Sequence, residues 1–209
     1  VFADRPAIIH GQTQLSYHDF WQSSKRLASA LTQLSITPGD TVSAMMSNTP
    51  AMLICHHGVP MCGAVLHAIN TRLDAEAIAL QLDHADTKIL IVDREFSEVA
   101  EQAVKKASVT PLIIDYDDPD YPDDAPKPKG QLIGASEWED ILATGDPDFI
   151  WRRPPDEWDA ITLNYTSGTT GIPKGVVYHH RACALMAYNN TIHAAMGQHS
   201  VYLWSLPMF

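Results

Sequence analysis

Apolar and polar positions change period repeatedly along the chain. Between Pro6 and Ser16, two strand-like runs, Ala7-Ile8-Ile9 and Gln14-Leu15, flank Gly11 in a hairpin pattern. Ser16 and Asp19 then form a Ser-x-x-Asp variant of the capping box. Behind them Tyr17, Phe20, Trp21, Leu27, Ala28, Leu31 and Leu34 recur at helical spacing. Pro38-Gly39 closes that helix, and Thr41 to Met46 reads as a strand. A second helix is expected from Pro50 to Met61, with proline tolerated at its first position. Val65 to Ile69 is a short strand, and Asp74 can cap a helix carrying Ile78 and Leu82. Ile89-Leu90-Ile91-Val92 is apolar at every position, as in a strand buried on both faces of a parallel sheet. A helix over Phe96 to Ala107 and a strand at Leu112-Ile113-Ile114 follow. Strand and helix in alternation predict an α/β fold, with mostly parallel sheets flanked by helices.

From Asp115 the texture changes. The decapeptide to Asp124 holds six Asp, two Pro and two Tyr, and Pro126-Lys127-Pro128-Lys129 follows. An EF-hand would need Gly and Glu where Asp120 and Pro126 stand, so 115–135 reads as a solvated, acidic, Pro-rich connecting loop. A short helix is expected around Ser136 to Leu142, and Ala160 to Tyr165 reads as a strand. The stretch Ala51 to Asn70 lacks formal charge, but it carries three His and an Asn and is broken by Gly58, Pro60 and Gly63. It reads as a buried helix running into a buried strand, not as a membrane span.

Charge narrows the function classes. Fourteen Lys and Arg against 25 acids leave −11 with neutral His, which argues against nucleic-acid binding and against docking on anionic lipid. Three Cys cannot build a disulfide framework, so a reducing compartment, cytoplasmic by default, is expected. The chain begins without Met or a basic-then-apolar leader and stops on Pro207-Met208-Phe209, so a fragment is expected, 209 residues being an incomplete portion of a larger domain.

One segment carries chemistry: Thr166, Ser167, Gly168, Thr169, Thr170, Gly171, Ile172, Pro173 and Lys174, followed by Gly175. Its glycines allow positive φ and close approach to a ligand. Successive backbone N–H groups in such a turn make an anion-binding nest. The four hydroxyls add donors, Lys174 adds a point charge on a flexible stem, and Pro173 narrows the loop's conformations. On so acidic a chain a polyphosphate is repelled at long range, so these donors must act at short range, helped by Mg²⁺. The Walker pattern places Lys directly after Gly and a hydroxyl directly after Lys. Here Gly171 and Lys174 are three apart and Gly175 follows, which disfavours Walker-type hydrolysis.

Thr166 to Gly175 resembles the phosphate-loop signature of the AMP-forming adenylating enzymes, the superfamily of acyl-CoA synthetases. The flanks Leu163-Asn164-Tyr165, Val176-Val177 and His180-Arg181 are similar too, as are the ending Leu206-Pro207-Met208-Phe209 and Ala68-Ile69-Asn70-Thr71-Arg72-Leu73, with Ile69 where the family has Leu. The resemblance implies part of the large N-terminal domain, with 160–178 as strand, phosphate loop and strand, and with the C-terminal domain absent. It implies ATP, Mg²⁺ and coenzyme A as reactants and a carboxylic acid, of the short- or medium-chain fatty branch, as substrate. No catalytic residue and no metal ligand falls within the 209 residues, which alone are expected to be silent. The rival readings are an ATPase or kinase cleaving at the γ-phosphate, giving ADP, and a truncated binding module without turnover.

Other residues read plainly. Cys55, His56, His57, Cys62 and His67 cluster without the paired spacing of zinc sites, and Cys55 and Cys62 share a helix face as small apolar groups. His179 and His180 fit a helix start, and Cys183 has no base placed beside it. Trp204 and Met208-Phe209 read as core and the end of a strand that, by resemblance, leads towards an acyl site.

Overall fold

A computed structural model of the chain describes residues 2–122, 124–125, 129–151, 153–166 and 173–209. A two-stranded hairpin, β1 (Pro6–His10) and β2 (Thr13–Ser16), precedes α1 (Tyr17–Gln33). The main body is β3 (Thr41–Met45), α2 (Pro50–Met61), β4 (Val65–Ala68), α3 (Ala75–His84), β5 (Thr87–Asp93), α4 (Ser97–Lys106) and β6 (Leu112–Tyr116). It ends with β7 (Ser136–Glu137), α5 (Trp138–Thr144), β8 (Ala160–Thr166), β9 (Lys174–His179) and α6 (His180–His193). Among the described residues seven strands form one sheet in the order β7-β6-β5-β3-β4-β8-β9, parallel except for the β8–β9 pair. This is the expected α/β architecture.

Side-chain alternation explains why the central strands read as unbroken apolar runs. Ile89 and Ile91 pack with Val42, Ala44, Leu66, Ala68 and Ile114 against α1, α2 and α5. Leu90 and Val92 point the other way, with Met45, against α3 and α4. Each face is covered by helices, so each strand buries both of its side-chain sets. Burying one Leu or Ile side chain contributes about 1.5–3 kcal/mol, so the sheet centre dominates the stability.

The caps follow the sequence. Ser16 Oγ accepts from Asp19 N at 3.1 Å, and the Asp19 carboxylate accepts from Ser16 N at 3.0 Å, closing the capping box of α1. Ser16 Oγ–H, donating to the same carboxylate at 2.6 Å, and then the Ser16 N–H hold the Asp19 carboxyl below its ordinary value. Thr49 caps α2, whose first residue is Pro50, and Asp74 accepts from Ala77 N at 2.8 Å to cap α3. Helices α1 and α2 approach closely at Gly58, where an added Cβ would lie 2.8 Å from Leu27 Cδ2 and 2.9 Å from the Ser24 carbonyl oxygen.

Four expectations are corrected. Ser136 and Glu137 are not helical: they pair with Ile114 and Asp115 as strand β7, and the helix starts at Trp138. The helix expected from Phe96 begins at Ser97, after a 3₁₀ turn over Arg94–Phe96. No strand forms over 201–209; Trp204 is exposed, while Met208 and Phe209 pack on the core beside α2. The acidic segment is not simply solvated. β6 runs through Tyr116, and the buried Asp115 carboxylate accepts from Ile133 N and Gly134 N. Asp120 accepts from Gln12 N and Thr13 N of the hairpin turn, and Asp118 pairs with His10 at 3.2 Å. These carboxylates serve as acceptors for backbone N–H groups that would otherwise lack partners.

Among the described residues no helix is long and apolar enough to cross a membrane.

Candidate phosphate-binding site

The Gly/Thr-rich segment joins two strands. β8 lies parallel to β4, with Leu66 opposite Thr162 and His67 opposite Leu163, so its carboxyl end emerges beside that of β4. β9 returns antiparallel, with Tyr165 opposite Gly175 and Thr166 opposite Lys174. The two ends of the segment are therefore held as a registered pair. Ser167, Gly168, Thr169, Thr170, Gly171 and Ile172 lie outside the described residues; Thr166, Pro173 and Lys174 lie within them. Lys174 is exposed and takes part in no ion pair among the described residues. A flexible ammonium at this strand end is free to meet an anion.

Beside these ends a cleft of about 250 Å³ opens, lined by Asn70, Gln81, Asn164, Thr166, Pro173 and Phe209 among others. Its walls come from the carboxyl ends of β4 and β8, where open α/β sheets bind ligands. The Asn70-Thr71-Arg72-Leu73 segment and the Pro-Met-Phe ending, far apart in sequence, are brought to the same region: Asn70, Leu73 and Phe209 all line this cleft. Asn48 fastens the last residues, donating to the Leu206 carbonyl at 2.7 Å and accepting from Met208 N at 3.0 Å. His56 donates through Nε2 to the Met208 carbonyl at 3.0 Å. Sequence reasoning missed these anchors, since nothing local in Asn48 or His56 announces a partner some 150 residues away.

Behind the cleft lies a buried polar chain. His67, fully buried on β4, meets Ser43 Oγ through Nδ1 at 2.9 Å and Gln81 Oε1 through Nε2 at 3.3 Å; Ser43 Oγ meets Thr87 Oγ1 at 2.8 Å. One direction of donation satisfies it throughout: Thr87 to Ser43, Ser43 to Nδ1, and Nε2–H to Gln81. Burial pulls the His67 pKa down to about 4, opposed by the Gln81 bond, so the imidazole is neutral. No lone His pattern revealed this, because a histidine within an apolar strand reads the same whether it is satisfied or ligating.

The Cys and His cluster of α2 is resolved the same way. Cys55 is buried in the core, Cys62 Sγ donates to the Val59 carbonyl, and His57 Nδ1 donates to the Leu53 carbonyl. His179 accepts from Ala182 N at 3.1 Å and so caps α6. Among the described residues the one grouping of metal-capable side chains is His10, Asp118 and Asp120. It belongs to the hairpin and the acidic segment, beside a separate cleft of about 180 Å³ walled by Tyr116 and Trp138, and shares no residue with the phosphate-loop cleft.

A family model described as AMP-binding enzyme matches residues 1–209. The chain belongs to the AMP-binding enzyme family. It is 44% identical over 218 residues to the peroxisomal acetate/butyrate–CoA ligase of Arabidopsis thaliana, covering all of this chain and 38% of the relative. It is 41% identical over 223 residues to the peroxisomal trans-cinnamate:CoA ligase of Petunia hybrida, with the same shares. The chain thus spans 38% of the length of these curated relatives. Among solved structures, the anthranilate CoA ligase AuaEII in complex with anthranoyl-AMP superimposes with a TM-score of 0.77 at 21% identity, over 89% of this chain and 34% of that one. At that identity the likeness speaks for the fold. The family resemblance read from the phosphate-loop signature is upheld, and with it the α/β class.

Proposed function

We propose that this chain is the phosphate-gripping portion of an AMP-forming acyl-CoA ligase. What supports this reading is the registered Thr166–Lys174 pair, which holds the two ends of the Ser/Thr/Gly segment at the carboxyl edge of the sheet beside a cleft, in a member of the AMP-binding family. In this reading a carboxylate oxygen attacks the α-phosphorus of ATP, the bond to the β-phosphate bridging oxygen breaks, and pyrophosphate leaves. The thiolate of coenzyme A then attacks the acyl carbonyl and AMP leaves. The obstacle is a weak nucleophile meeting a crowded anion, and the contribution of 166–174 is to position the triphosphate and offset its charge. Lys174 and the hydroxyls fit a polyphosphate. Mg²⁺, when bound with ATP, supplies further charge neutralisation; the described residues beside the cleft offer no carboxylate cluster for it, so its ligands are sought outside them.

Relatives named for acetate, butyrate, 2-methylpropanoate and trans-cinnamate suggest small to medium carboxylic acids as the class activated. Several relatives are named as peroxisomal, which makes that organelle, also reducing towards thiols, the compartment to test before the cytoplasm.

The test is carboxylate-dependent exchange of labelled pyrophosphate into ATP by the full-length protein, with such acids as a panel. Exchange with at least one acid, and AMP as the nucleotide product, is expected. ADP would instead favour the γ-phosphate-cleaving reading, and no exchange with any acid would remove the adenylation claim. Lys174→Ala and Thr169→Ala should each lower kcat/KM for ATP by about tenfold or more, the loss of a charge-assisted hydrogen bond being worth about 1.5–3 kcal/mol.

A further inference from the structure

β8 enters the phosphate loop through Tyr165, and its side chain is gripped from three directions. Its hydroxyl shares a hydrogen bond with His84 Nδ1, at the last residue of α3, at 2.6 Å. Its ring stands edge-on to the His84 imidazole at 5.7 Å and to that of His67 at 5.0 Å between centroids. His67 is itself fixed by Ser43 and Gln81. On the third side lies Gly175 of β9, where an added Cβ would come within 3.5 Å of Tyr165 Cε1 and 2.9 Å of Leu163 Cδ1. An added methyl there would only touch the Tyr165 ring at ordinary contact distance but would crowd Leu163, so the ring and the partner strand lie side by side. Burial raises the phenol's pKa, so the hydroxyl stays protonated.

We infer that Tyr165 is a positioning residue for the nucleotide: through the His84 bond it fixes the direction in which β8 leaves the sheet, and hence where Thr166 and Lys174 present the loop between them. Thr166 is the next residue, and Lys174 is its registered partner, so a pivot at Tyr165 moves both. The hydroxyl's partner is an exposed helix end, which buries little itself, so the bond fixes direction at a point where packing contributes little. The inference rests on the phosphate-binding reading above.

In the full-length protein, Tyr165→Phe keeps the ring contacts and removes only the hydroxyl. Losing one neutral hydrogen bond predicts a rise of about fivefold in KM for ATP. KM for the acid and the thermal midpoint should change little. His84→Ala should reproduce the effect, the double variant should be no worse than either single one, and His84→Asn, whose amide oxygen can accept in place of Nδ1, should restore ATP use. Unchanged KM for ATP in both single variants would overturn the positioning role. So would a loss confined to thermal stability, additive effects in the double variant, or a rise confined to KM for the acid. If wild-type protein shows pyrophosphate exchange while Tyr165→Phe is unaltered, only this inference falls; if wild type shows none, the underlying reading falls first.

Discussion

His67 gives the sharpest physical test of the fold, because its burial couples proton binding to stability. In the unfolded chain a histidine titrates near 6.5, whereas in the folded sheet burial lowers it to about 4. Above pH 6.5 the imidazole is neutral in both states and costs nothing. As pH falls from 6.5 to about 4, the unfolded chain binds a proton that the folded one refuses, so stability is lost through that window and levels off below it. The shift corresponds to about 3 kcal/mol, a large share of the 5–15 kcal/mol that a domain possesses. His67→Gln, similar in size and able to hydrogen-bond without titrating, should lack this loss. Urea unfolding followed by tryptophan fluorescence at pH 7, 6, 5 and 4 reads it directly, since wild type minus variant cancels every other titrating group. Asp93 shows why the difference is needed. Burial first, then Glu95, Asp118 and Asp117, raise its carboxyl to about 7, so it removes stability as pH rises from 3.8 towards 7, opposite in sign to His67. Parallel stability curves for wild type and His67→Gln would refute the burial argument, as would a His67 ring-proton resonance that titrates near 6.5.

Two more outcomes follow from packing. Gly58→Ala should destabilise by about 1–2 kcal/mol in the same unfolding assay: the new methyl meets Leu27 and the Ser24 carbonyl below 3.0 Å, an overpacking cost that exceeds the helix propensity gained. Alkylation by iodoacetamide at pH 8, read by mass spectrometry, should proceed in the order Cys183, Cys62, Cys55. Cys183 is half-buried, burial raises Cys62 to about 11, and Cys55 is sealed in the core until the chain unfolds.

The parts of this fold legible in the sequence are those decided within a few residues. The Ser16/Asp19 capping box, Pro50 opening α2, Asp74 capping α3 and the four-residue run at 89–92 are all local signals, and each forms as read. What escaped the sequence was decided by distant partners. Ser136-Glu137 became a strand because β6 offered a free edge, overriding any helical preference of the residues that follow. Asp115, Asp118 and Asp120 look like solvent-loving acids until the hairpin turn and 133–134 supply N–H groups to them. The Ser/Thr/Gly segment is legible in the sequence as candidate chemistry, from its composition and order, but the contact between Tyr165 and His84 is not. Its histidine lies 81 residues earlier, on a helix end without any motif.

The two strands that flank the Ser/Thr/Gly segment are not equally supported, and this decides which residues can set the placement of its ends. β8 leans on β4 and, through Leu163 and Tyr165, on Val65 and Ala85. β9 is an edge strand of the sheet; Val176, Val177 and Tyr178 are exposed, and none of the fourteen residues of α6 is buried. A helix of that length is marginal in water without packing, so within these 209 residues it cannot brace the strand before it. Leu185, Met186, Tyr188 and Ile192 stand exposed along it, and relatives more than twice as long have chain to spare for such a face. Lys174 therefore takes its place from the pairing with β8 across Thr166, and that pairing takes its direction from Tyr165. A substitution on the α6 side of the loop would alter support that these residues do not provide, whereas loss of a single hydroxyl on the β8 side reaches both ends of the loop at once.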